Sequence, residues 1–108
     1  MEIKFRAWNK QYKVMTKVFI LDWWNREIKV NEEMGSDTFI LMQFTGLYDK
    51  NKKSIFEGDI ILGYPTSEKQ PTLVESLEIF FWFIGEYTIE REKMEIIGNI
   101  YENPELLK

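Results

Sequence analysis

Apolar residues in this chain arrive in short runs, most of them alternating with polar ones and ended by Gly, Pro, Asn or Asp. Period-two alternation puts successive side chains on opposite faces, the pattern of half-buried strands. Ile3-Lys4-Phe5-Arg6-Ala7-Trp8 alternates, Asn9-Lys10-Gln11 breaks it, and Tyr12-Lys13-Val14-Met15 resumes, which predicts a hairpin. Val18 to Trp23 and Glu27 to Asn31 predict a second hairpin, and Glu32 to Asp37 a loop. Thr38 to Thr45 predicts a buried strand. Several short strands with turns between them specify a mainly β fold, a small barrel or roll with additional hairpins.

Turn chemistry dominates the centre, FTGLYDKNKKSIFEGDII from Phe44 to Ile61. Tyr48 to Phe56 has a polar middle and apolar ends, a hairpin signal, with Asn51 the best candidate for positive φ and Lys52 where a glycine is more comfortable. Glu57-Gly58-Asp59 turns the chain into Ile60-Ile61-Leu62. Pro65 to Thr72 is loop-like. Leu73 to Ile84 admits a helix, since Thr72 and Glu75 fit a capping box, but its Phe, Ile and Trp content favours a long strand. Glu86 to Glu95 is expected to be a strand and turn, with Ile96-Ile97 a further strand interrupted at Gly98-Asn99. Asn103-Pro104 has the grammar of a helix start, predicting one short C-terminal helical turn over Pro104 to Leu107.

Composition removes several activities. The 108 residues predict a single domain, 1–108, and include neither cysteine nor histidine. Disulfides, thiolate sites and Cys nucleophiles are excluded, as are histidine bases and ligands. The opening residues lack the apolar core of a secretory leader, and Ile79 to Ile84 is far shorter than the ~20 residues of a membrane span. A protein retained in the compartment of its synthesis is expected, with no membrane partner.

Candidate chemistry is thin. Asp49 and Asn51 suit the first and third positions of a calcium loop, but Lys53, Ser54 and Ile60 break it and three lysines repel a cation. Asp49, Glu57 and Asp59 offer paired carboxylates, for which turn roles account. No P-loop, G-x-S-x-G or H-E-x-x-H string occurs, so no enzyme, metal or cofactor is expected.

Two surfaces stand out. Read as a strand, Leu77 to Ile84 is apolar on both faces, so Phe80, Trp82 and Ile84 need cover, and Trp24 beside Trp23 raises the same question. These four are the candidate protein interface, suited to homo-oligomers or another protein. Lys4, Arg6, Trp8, Lys10 and Lys13 form the alternative, a basic aromatic surface for nucleic acid. Residues 1–54 carry +3 and 55–108 carry −7, within a net charge of −4, a balance that weighs against phosphate binding.

Three strings make the chain familiar: KFRAWNK at the start, LMQFTGLYDKNKKSIFEGDII in the middle and EIIGNIYENPELL at the end. Together they resemble the YopX-like family of bacteriophage and prophage proteins. Asn9 stands where that family's pattern has Asp, Lys52-Lys53 alters the hairpin, and Gly63 to Lys93 matches no quoted string. The resemblance implies an SH3-like barrel core, a phage or prophage origin, the bacterial cytoplasm and homo-oligomers. It supplies no catalytic residues. The function expected is therefore a non-enzymatic accessory protein that self-associates and binds a host or phage protein, with a nucleic-acid-binding regulator as the alternative.

Overall fold

A computed structural model describes residues 4–18, 20–22, 27–29, 33–34, 39–64, 70–86 and 91–108. Strands β1 (Phe5–Asn9) and β2 (Val14–Lys17) form the first predicted hairpin, with Arg6 opposite Lys17 and Trp8 opposite Met15. The turn between them is built on Asn9, whose Oδ1 accepts the Gln11 and Tyr12 amides, both at 2.9 Å. An Asn side chain at this position substitutes for a backbone acceptor and starts the reversal. The second hairpin also forms, from β3 (Ile20–Asp22) and β4 (Glu27–Lys29). Within the expected loop, β5 (Glu33–Met34) adds a third strand to it.

The long strand β6 (Phe39–Tyr48) pairs with β1 along its first half and with β7 (Ser54–Phe56) along its second. Its register slips between Phe44 and Tyr48, around Gly46 at φ 89°. Such an irregularity bends a strand and increases its twist. The sheet β2-β1-β6-β7 curls into a half-barrel. A second sheet has β8 (Asp59–Leu62) between β10 (Glu95–Asn99) and β9 (Thr72–Leu73). The result is a mainly β fold, compatible with the barrel or roll expected from the sequence.

One element departs from the expected pattern. Leu77 to Glu86 is an α-helix, α1, rather than the continuation of a long strand. Ser76 caps it: its Oγ accepts the Ile79 amide at 3.2 Å and its carbonyl accepts the Phe80 amide at 3.0 Å. Glu78 in the first turn complements the positive end of the helix dipole. The capping signal thus lies at Ser76, not in the Thr72/Glu75 pair. A helix wins because Phe80 and Ile84, four residues apart, project onto one stripe. That stripe meets a core of Ile55, Ile61, Tyr64, Val74 and Met94. Phe80 is fully buried, its ring 4.9 Å from that of Tyr64.

A strand and turn were expected over Glu86 to Glu95; residues 87–90 lie outside the described residues, and Arg91–Lys93 is a 3-10 turn. The terminal turn forms as predicted over Pro104–Leu107. Asn103 gives it no side-chain cap; its Oδ1 instead accepts the Asn99 amide at 3.2 Å.

Candidate functional site

The central carboxylates are occupied by the backbone. Asp49 is buried, and its Oδ1 accepts the Asn51 and Lys53 amides at 2.9 Å each. Its Oδ2 accepts the Ile96 amide, 47 residues away, at 3.0 Å. Glu57 Oε1 accepts the Gln43 amide at 2.8 Å. Asp59 Oδ2 accepts the Phe56 amide at 2.8 Å, and Oδ1 accepts from Arg6 Nη2 at 2.7 Å. Asp49 therefore binds its own hairpin turn to β10, and Asp59 ties β1 to the β7–β8 turn. Among the described residues, no group of three or more His, Cys, Asp or Glu is placed to hold a metal ion.

Electrostatics at Asp59 are a contest between burial and pairing. Burial pushes its carboxyl above the ordinary value, more strongly than Arg6 and the Phe56 amide pull it down. Gly58 completes this corner at φ 87°, where a Cβ would stand 2.9 Å from Met42 Sδ. Only glycine combines that backbone with that space. Its amide donates to Val74 O and its carbonyl accepts from Ile100, both at 2.8 Å.

Lys4, Arg6 and Trp8 share one face of β1, as alternation predicts, but that face turns across the half-barrel. Lys4 Nζ donates to Ser54 Oγ at 2.7 Å and lies 4.2 Å from the Phe44 ring centroid. The Arg6 guanidinium lies 4.8 Å from the Phe56 ring centroid. Trp8 is 8% exposed and stacks on Tyr101, the centroids 5.5 Å apart with ring planes at 18°. Its face is therefore covered where a base-stacking platform would need it open. Lys10 and Lys13 are exposed on the β1–β2 turn, so the five residues of the basic surface divide between interior and exterior.

The four interface candidates also separate. Trp24 lies outside the described residues. Phe80 faces the core and Ile84 packs partly against it, because helical geometry places both on the inner stripe. Trp82 projects outward at 58% exposure, flanked by Ile79 at 41% and Phe81 at 40%. Reading a strand through this segment assigned Phe80 and Trp82 to one face; the helix puts them on opposite sides. Ile79 and Phe81 are the residues that reading missed, and Ser76 ahead of an i,i+4 apolar pair was the available signal.

All three strings noted in the sequence converge here. Lys4 to Trp8 meets Ser54 to Asp59 through the contacts above, and Tyr101 covers Trp8. A family model described as YopX protein matches residues 4–108. The chain belongs to the YopX family. That match includes every part of the YopX chain's carboxylate lattice and the outward face of α1. Among solved structures, this YopX chain is similar to that of protein EF1440 from Enterococcus faecalis, with 24% identity and a TM-score of 0.59. The likeness covers 100% of this chain and 99% of the other, which shows a shared fold. No curated protein matches the chain. None of the helices among the described residues is long and apolar enough to cross a membrane.

Proposed function

We propose that this YopX-family chain acts without catalysis, as a phage or prophage accessory protein of the bacterial cytoplasm that self-associates and docks a second protein. The observation that carries this reading is the outward side of α1, where Trp82 is exposed with Ile79 and Phe81 exposed to either side of it. Large contiguous apolar surface on a soluble fold is the usual mark of a contact site. Aromatic residues, Trp above all, supply much of the energy at such sites. The commitment of Asp49, Glu57 and Asp59 to backbone amides and Arg6 supports a structural role for the only clustered carboxylates that the sequence offered as catalytic.

The test is sedimentation equilibrium of the wild type beside an Ile79→Ser/Trp82→Ser variant. Concentration-dependent dimers or higher species are expected from the wild type, with monomers from the variant at unchanged circular dichroism. A wild type that stays monomeric across the micromolar range removes self-association. Salt-sensitive retention of DNA or RNA, lost in a Lys10→Glu/Lys13→Glu variant, transfers the reading to a nucleic-acid regulator.

A further inference from the structure

A groove of about 530 Å³ lies among the start of β1, the second half of β2 and β7. Lys4, Arg6, Lys17 and Thr16 form its polar wall, and Met15 and Val18 form part of its apolar one. No carboxylate is among the described residues that line it. In a chain of net charge −4, the groove's lining carries three cations, of which Arg6 is paired with Asp59 at 2.7 Å.

The register explains how the cations converge. Arg6 stands directly opposite Lys17 across the β1–β2 pair, and Lys4, just before β1, joins them in lining the groove. Like charges directly opposite on neighbouring strands destabilise a sheet. Lys17 is exposed and makes no ion pair among the described residues. Arg6 makes both of its hydrogen bonds, to Asp59 Oδ1 and Glu57 O, through Nη2. An anion between Arg6 and Lys17 relieves their repulsion. The volume far exceeds that of a bare phosphate and falls within the range of small-molecule sites.

We propose that this groove binds a small organic phosphate of mononucleotide size, its phosphate between Lys17 and Arg6 and its organic part against Met15 and Val18. A phosphomonoester suits the site because its two negative charges match clustered cations, and its oxygens suit a planar guanidinium. This site lies apart from the outward face of α1 and does not depend on it.

The experiment titrates the full chain with AMP, UMP and inorganic phosphate by calorimetry, and maps AMP by amide chemical shifts. A mononucleotide is expected to bind with Kd below about 1 mM, to shift residues of β1 and β2, and to outcompete inorganic phosphate. Lys17→Glu, at an exposed position, should weaken it by roughly tenfold or more while leaving circular dichroism unchanged. Absence of binding, shifts confined to other strands, or an undiminished affinity in Lys17→Glu overturns the proposal. So does binding that requires an oligonucleotide, which points instead to a nucleic-acid surface.

Discussion

Asp49 shows how much one side chain can hold in place. Its three accepted amides span its own turn and the distant strand β10. Hydrogen bonds to a charged acceptor contribute about 1.5–3 kcal/mol each, and the deleted partner leaves buried donors behind. Asp49→Ala should therefore lower unfolding stability by about 3 kcal/mol or more, read from urea denaturation, with Asp49→Asn recovering part of the loss. Lys52 gives the opposite sign. It sits at φ 64°, a left-handed backbone that costs an L-residue energy and glycine none. Lys52→Gly should raise stability by about 0.5–1 kcal/mol, measurable as a shift in denaturation midpoint at constant slope. The sequence made this turn legible in part. Its polar middle marked the reversal and Lys52 the awkward position, but Asn51 was assigned the positive φ. Residue preference alone cannot say which of two neighbours takes it, since that depends on the Asp49 Oδ1 acceptor holding the Asn51 and Lys53 amides. The Arg6–Asp59 pair supplies a third measurement. Arg6→Met strands a buried carboxylate and should cost about 3–5 kcal/mol. Adding Asp59→Asn should cost much less than the sum of the two single changes, a coupling of about 1–3 kcal/mol in a double-mutant cycle.

At the scale of elements, α1 is where local pattern and tertiary context disagree. Phe, Ile and Trp favour strands when nothing else decides, and the segment is rich in all three. Ser76 and the core waiting for Phe80 and Ile84 decide otherwise. The hairpins were legible because alternation and turn residues coincide there; α1 was not, because Ile79, Phe81 and Trp82 on its outer side blur the stripe made by Phe80 and Ile84. Two substitutions separate those faces. Phe80→Ala should cost about 3–5 kcal/mol through the cavity it opens. Trp82→Ala should cost far less, about 1 kcal/mol or less, and a loss by thermal melting as large as that of Phe80→Ala would argue that its ring is packed within the core. The same difference divides the interface candidates: a period of 3.6 rather than 2 decides which of them face outward.

Across the whole molecule, Tyr64 reports how tightly the second sheet and α1 are closed. It is 2% exposed, and burial, with Glu75 nearby, pushes its phenol up to about 12. Unfolded tyrosine ionises near 10, so between about pH 10 and 12 the unfolded chain loses a proton that the folded chain keeps. Stability should be unaffected by this group below pH 10 and fall as pH rises from 10 to 12. Tyr64→Phe, compared with wild type by denaturation at each pH, should show a shallower fall; parallel curves would mean that the phenol ionises freely in the folded protein. The three strings that mark the family were legible as separate pieces, whereas their meeting was not. No local pattern states that Lys4 reaches Ser54 or that Trp8 lies against Tyr101. That last contact has a consequence for synthesis. A chain emerging from the ribosome at about 5–20 residues per second exposes Trp8 well before it delivers Tyr101. For roughly 5–20 seconds the first strand waits with an aromatic face uncovered, and nascent-chain chaperones have that interval in which to bind it.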